Sequence, residues 1–295
     1  MNERAWLAER FEEHRAHLRA VAYRMLGSLA EADEAVQDAW LRLGRSEADG
    51  IENLGGWLIT VVARVCLNML QSRKVRSEEP VGVHMPDPVI SREDGVGPEH
   101  EVLLADSVGL ALQLVLDTLP PAERLAFVLH DMFDLPFDEI APMVGRSPTA
   151  ARQLASRARR RVRGAAVPTP DPDLTRQRAV VEAFFAAGRS GDFEALVAVL
   201  DPDVVLRSDG GARRPAASFV RRGATAVART ALAFAVPSAI LHPALVNGTA
   251  GVVVTAGGRL FSVMGFTVTR GKIVEIDVVA DPERLSRLDL SVLND

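Results

Sequence analysis

The stretch GRSPTAARQLASRARRRVRG, Gly145 to Gly164, carries seven arginines and no acidic residue. A guanidinium is a planar fork of donors that matches phosphate oxygens and the O6/N7 edge of guanine, so its chemistry is recognition of a polyanion. The whole chain has 295 residues and formal net charge −5, which argues against unselective nucleic-acid binding. A local cluster still acts, because screening confines each charge to about 8–10 Å at physiological salt. A second stretch, SLAEADEAVQDAWLRL, places Glu34, Gln37, Asp38 and Leu41 opposite an apolar stripe of Ala32, Val36, Ala39, Trp40 and Leu43. That polar side is either a solvated acidic face or a dock for a basic partner.

Acid–base chemistry has four candidates in the C-terminal part: Asp209, His242, Glu275 and Asp277. His242 precedes Pro243 in a strand-like segment and reads as structural. Asp209 stands before two glycines, where a turn aspartate satisfies backbone N–H groups. No catalytic set emerges, and no cofactor or metal is expected. Cys66 is the only cysteine, so an intrachain disulfide and a cysteine-based zinc site are both out of reach. The charged N-terminus lacks a signal-peptide core. Apolar runs such as GVVVTAGG are far short of the roughly 20 residues a membrane helix needs. A cytoplasmic protein without a membrane partner is expected.

These groups need elements to hold them. Residues 1–78 read as helical, 79–104 as a linker, 105–164 as helical, 165–174 as a second linker and 175–295 as α+β. The first linker holds four prolines and three glycines between Ser77 and Pro98. Ser28 and Glu31 have capping-box spacing. Gly55 and Gly56 precede a long apolar helix whose last turn carries Arg73, Lys74 and Arg76, suited to a helix C-terminus. Pro120 and Pro121 suit a first helical turn, followed by an amphipathic helix to about Phe133. LPFDEIAPMVG reads as a short helix ending at Gly145, with Pro142 a local cost to it. Ser147 and Pro148 then open the arginine-rich helix. Helix, tight turn and arginine-rich helix make a helix-turn-helix, which directs Thr149, Arg152, Gln153 and Ser156 to base edges and Arg157, Arg159, Arg160, Arg161 and Arg163 toward phosphates. Four β-branched segments after Ala239 read as strands.

In this order the motifs resemble an extracytoplasmic-function (ECF) bacterial sigma factor. SLAEADEAVQDAWLRL and WLITVVARVCLNMLQSRKVR are similar to regions 2.2 to 2.4, and LDTLPPAERLAFVLHDMFDLPFDEIAPMVGRSPTAARQLASRARRRV to region 4. The tail from Thr175 resembles the SnoaL-like (NTF2-like) cone, and the fusion resembles the ECF41 subgroup. HMPDPV is similar to its W-L-P-E-P linker motif with His84 for Trp, SDGGARR to D-G-G-G-K, and ADPERL to N-P-D-K-L. The resemblance implies two all-α sigma domains, a region 2 bundle and a region 4 helix-turn-helix, plus an α+β cone. It implies that Asp33, Gln37, Asp38 and Leu41 meet the β′ clamp helices of core RNA polymerase, with the β flap a further partner. Asn53, Arg64, Asn68, Arg73 and Lys74 would serve the −10 element of promoter DNA. Thr149, Arg152, Gln153, Ser156, Arg157 and Arg160 would serve the −35 element. The acidic linker would thread toward the polymerase active-site channel. Pro86, Asp87, Pro88, Asp209, Gly210, Gly211, Asp281 and Pro282 would join the cone to the linker or the helical domains, an intramolecular regulator needing no separate anti-sigma factor.

Two other functions fit parts of the sequence. One is a ligand-sensing helix-turn-helix regulator that does not act through core polymerase. The other is a SnoaL-like enzyme fused to a DNA-binding module.

Overall fold

The computed structural model describes residues 3–46, 51, 53–75, 83, 85–91, 110–165, 167–236 and 238–288. They form two compact units: residues up to 75 with 112–165 and 167, and residues 83–91 with 110–111 and 168–288.

The helical unit opens with α1 (Glu3–Leu26), α2 (Leu29–Leu43) and α3 (Leu54–Val75). Ser28 caps α2 by accepting the Glu31 N–H, and Ala32, Ala35, Val36, Ala39 and Leu43 are the side it buries. Helix α3 buries Leu58, Val62, Ala63 and Cys66. Its 20 residues Leu54–Arg73 reach a mean hydropathy of 1.4, long and apolar enough by composition to cross a membrane. This corrects the expectation that no apolar segment approaches that length; Arg64 and Asn68 break the run and hid it.

The second half of the unit holds α4 (Leu110–Asp117), α5 (Pro121–Phe127), α6 (Phe137–Met143) and α7 (Pro148–Gly164). Helix α5 runs on as one π-turn, Val128–Met132, where a plain helix to Phe133 was expected. Pro142 lies in the last turn of the seven-residue α6 and so removes only one backbone bond. Gly145 (φ 62°) ends α6 in a Schellman turn, the Arg146 N–H reaching the Ala141 carbonyl at 3.0 Å.

The two halves share polar contacts at the end of α1. Arg124, 2% exposed, donates to the Arg24 carbonyl at 3.1 and 2.9 Å and pairs with Asp117. Burial lowers its pKa and Asp117 opposes that. Gln113 donates to the same Arg24 carbonyl at 3.2 Å. The carbonyls that a helix C-terminus leaves unpaired are thus capped by side chains from α4 and α5.

The second unit contains α8 (Leu174–Ser190), α9 (Phe193–Val199), α10 (Ala224–Ala233) and the short α11 (Pro282–Leu285). Its strands are β1 (Ile90–Ser91), β2 (Leu200–Asp209), β3 (Phe219–Arg222), β4 (Ile240–Val246), β5 (Thr249–Ala256), β6 (Arg259–Thr269) and β7 (Lys272–Val279). The sheet order is β1-β4-β5-β6-β7-β2-β3, with only β2 and β7 parallel. Asp173 and Asp192 cap α8 and α9 through the N–H groups of Arg176 and Ala195. One sheet face packs Leu206, Val252, Phe266 and Ile276 against Val181, Phe184, Leu196 and Val227 of the three longer helices. The other face carries Arg207, Asp209, Glu275 and Asp277, alternate residues on adjacent strands.

Candidate nucleic-acid interface

Helix α7 is set by its turn. The Ser147 hydroxyl accepts the Ala150 N–H at 3.3 Å, and Pro148 occupies N1. Ala151, Ala155 and Ala158 are fully buried, a narrow stripe that lets α7 lie close on α5 and α6. Thr149, Arg152, Gln153, Ser156, Arg157 and Arg160 are all exposed, at spacings that form one continuous face away from that stripe. The Arg152 guanidinium lies 5.3 Å over the Phe137 ring, which orients it. Three of the arginines expected near phosphates also make ion pairs within the unit. Arg157 and Arg161 share Glu123 at 3.1 and 2.7 Å, and Arg159 holds Asp131 at 2.5 Å. Helix α5 presents those carboxylates beneath α7. Among the described residues Arg152, Arg160 and Arg163 have no carboxylate partner.

On α3, Arg64 and Asn68 are exposed one turn apart. Arg64 reaches the Pro142 carbonyl at 3.4 Å, linking α3 to α6. Asn53 caps α3, its Oδ1 accepting the Gly56 N–H at 3.0 Å. A Cβ on Gly56 would come within 2.8 Å of the Asn53 Nδ2, so the capping side chain would have to shift. Arg73 stands apart from this face: it pairs with Glu31 and donates to the Leu26 carbonyl, fastening the end of α3 to the start of α2. The Lys74 side chain lies outside the described residues.

On α2, Asp33, Gln37 and Leu41 are exposed and Asp38 is half-buried. Asp33 pairs with Arg19 at 2.6 Å and Asp38 with Arg42 at 2.8 Å. Leu41, 49% exposed, is an apolar knob among them.

Three motif stretches converge in the second unit. Asp209 Oδ2 accepts the Met85 N–H at 3.0 Å. Arg284 bridges Asp209 at 2.6 Å and Asp87 at 2.7 Å. Pro86 and Pro88 are buried. Beyond them Ile90 and Ser91 add an edge strand to β4, and Asn247 brackets Val89, accepting its N–H at 3.1 Å and donating to its carbonyl at 2.8 Å. Asp281 caps α11, where Pro282 is the first residue. A Cβ on Gly211 (φ 65°) would fall 2.2 Å from the Asp281 carboxylate, and one on Gly210 would fall 2.3 Å from the Arg214 carbonyl, so this turn admits no side chain. Arg284 and Asn247 were missed at the sequence level. Arg284 stands inside ADPERL; Asn247, in a β-turn (φ 52°), gave no signal beyond its turn type. His84 lies outside the described residues, as does most of 79–104.

The candidate acid–base groups are committed elsewhere. Arg207 bridges Glu275 at 2.8 Å and Asp277 at 3.1 Å. Burial pushes the Asp277 carboxyl up to about 7 against the pull of Arg207, with Glu275 adding to the rise. His242 shares a hydrogen bond with Thr255 at 2.9 Å. The buried Cys66 thiol is pushed up to about 12 by desolvation, which leaves it inert.

Residues 10–76 match Sigma-70 region 2 and residues 109–162 match Sigma-70, region 4. The chain is 37% identical over 289 residues to ECF RNA polymerase sigma factor SigJ of Mycobacterium tuberculosis, covering 94% of this chain and 92% of that one. It is 36% identical over 288 residues to the probable ECF RNA polymerase sigma factor SigI of the same species, covering 96% and 94%. The crystal structure of M. tuberculosis SigJ superposes with TM-score 0.76 at 34% identity, covering 95% of this chain and 98% of that chain.

Proposed function

The chain belongs to the ECF RNA polymerase sigma factors, and from that premise we propose how its surfaces divide the work of promoter-specific initiation. The exposed face of α2, with Asp33, Gln37, Asp38 and Leu41, takes the β′ clamp helices of core polymerase, and the second helical half takes the β flap. Arg64 and Asn68, with Asn53 at the helix start, serve the −10 element. The Thr149–Arg160 face of α7 serves the −35 element. Arg73 contributes to the −10 element through the seating of α3 on α2.

The C-terminal domain acts as an intramolecular regulator, and the observation that carries this is the fastening of Met85 and Asp87 by Asp209 and Arg284. The −10 and −35 elements are about 25 base pairs apart, about 85 Å of duplex. A linker over 79–104, fully extended, covers about 85–95 Å. Every residue tied to the sheet shortens that reach. In the compact helical unit Arg64 of α3 lies 3.4 Å from Pro142 of α6, so the two reading surfaces are nowhere near promoter spacing. Holding the linker therefore favours the closed arrangement, and freeing it permits the open one. A covalently linked partner acts at about millimolar effective concentration, so no separate anti-sigma factor is needed for the contact to form. The domain works without catalysis: Asp209, Glu275 and Asp277 pair with Arg284 and Arg207, and His242 bonds to Thr255.

The test is reconstituted transcription from a promoter selected by the holoenzyme out of a random-sequence pool. Deleting 175–295, or only 280 onward, changes promoter-specific output; unchanged output from both truncations would refute the regulatory assignment. Substituting Gln37 and Asp38 abolishes co-purification with core polymerase, and retained binding would refute the assignment of α2.

A further inference from the structure

No residue between Gly210 and Val274 is acidic, while these 65 residues hold seven arginines and one lysine. The strand register gathers part of this charge at one end of the sheet. Phe219 lies opposite Ser208, Val279 opposite both Asp209 and Val263, Arg259 opposite Ala256, and Ile240 opposite Thr255. At that end the guanidinium of Arg221 stacks 4.7 Å over Phe219, and that of Arg214 lies 5.4 Å over Phe261. Phe219 in turn contacts Phe234, ring centroids 5.6 Å apart. Phe234 is 58% exposed and Ile240 62% exposed, unusual for side chains of that size. Arg213 is paired with Glu283 at 2.7 Å, whereas Arg214, Arg221 and Arg259 have no carboxylate partner among the described residues.

Guanidiniums without a carboxylate partner beside an exposed aromatic ring are the two ingredients that bind single-stranded nucleic acid: cations follow the phosphates and rings receive unstacked bases. Duplex DNA would use the charges but leave Phe234 idle, because its base faces are hidden. We propose that this end of the C-terminal domain, built on Arg214, Arg221 and Phe234, binds single-stranded DNA. The choice of DNA over RNA rests on the sigma-factor reading, since an initiating complex exposes opened promoter strands; the chemistry of the surface does not depend on it. The stacked arginines are held open by their rings, so binding needs little side-chain ordering.

The test uses the full chain carrying Arg64→Ala and Asn68→Ala, which silences the −10 face, and fluorescence anisotropy with labelled dT20, rU20 and a 20-base-pair duplex. Phe234→Ala weakens dT20 binding about ten-fold, the loss expected for one stacked base. The double variant Arg214→Gln/Arg221→Gln lowers the slope of log affinity against log salt by about 1.4, two single-strand phosphate contacts. Amide exchange across β5 to β7 reports that each variant is folded, and the Gln pair tests the site even where the Phe234 variant loosens α10. The proposal is overturned if both variants bind dT20 within two-fold of the parent, if duplex binding falls in equal measure, or if only rU20 binding falls. Co-purification with core polymerase, measured on the same proteins, stays unchanged. A parent that never joins core would instead count against the sigma-factor assignment and leave the oligonucleotide result standing.

Discussion

Asp277→Asn isolates the buried charge network of the second sheet face. Asp277 is 4% exposed, and burial raises its pKa from 3.8 to about 7 despite Arg207 at 3.1 Å. A rise of about three units corresponds to about 4 kcal/mol. The folded state then holds a proton that the unfolded chain releases. Stability from this group is complete below the unfolded pKa near 4 and is lost as pH climbs through about 7. Asparagine keeps the amide oxygen for Arg207 and cannot ionise. The variant therefore matches the parent near pH 4 and exceeds it by about 4 kcal/mol at pH 8. All three tryptophans, Trp6, Trp40 and Trp57, belong to the helical unit, so fluorescence is blind to this domain. Amide exchange of β2 and β7 is the appropriate assay, read as the parent–variant difference from pH 4 to 8 so that other titrating groups cancel. A difference that does not grow with pH would refute the reasoning.

Three further outcomes follow from named contacts. Arg284→Met removes the guanidinium that bridges Asp87 and Asp209 in a largely buried site, a loss of about 3–5 kcal/mol, and accelerates amide exchange at Met85 and Val89 while α8 exchanges as before. Arg124→Met removes two of the three donors to the Arg24 carbonyl, leaving Gln113, and takes the guanidinium from Asp117, lowering the stability of the helical unit by about 3 kcal/mol in urea melts followed by tryptophan fluorescence. Ser147→Ala removes the α7 cap and costs about 1 kcal/mol in the same melts; an unchanged midpoint would mean that packing of the alanine stripe alone fixes the helix.

Local chemistry was legible in the sequence and long-range pairing was not. Ser28 with Glu31, and Gly145 with Ser147 and Pro148, act within four residues, so their spacing is enough to place helix ends. The β-branched residues of VVVT and VEIDVV mark strands for the same reason. What a guanidinium pairs with depends on chain segments far away. Arg157 and Arg161 find Glu123, 34 and 38 positions earlier, and Arg73 finds Glu31, 42 positions earlier. Arg284 finds Asp87, 197 positions away. No periodicity announces such contacts, so the carboxylate partners of these arginines could not be read from the sequence. Strand β1 escaped notice because two residues carry no alternation. The pairing of Glu275 and Asp277 with Arg207 was equally invisible, and it turns two candidate acid–base groups into a structural network. The Schellman turn and the π-turn show the same boundary: Gly145 announces the first, whereas nothing in VLHDM announces the second.

The central claim is that one chain joins core polymerase through α2 and selects a promoter through α3 and α7. Run-off transcription by core polymerase reconstituted with the purified full chain, scored on selected and scrambled promoters, tests it most directly. The account predicts transcripts only from the selected promoter, lost when Gln37 and Asp38 are replaced. Core enzyme that gains no promoter-selective transcription from the chain, whether intact or lacking 175–295, would contradict it.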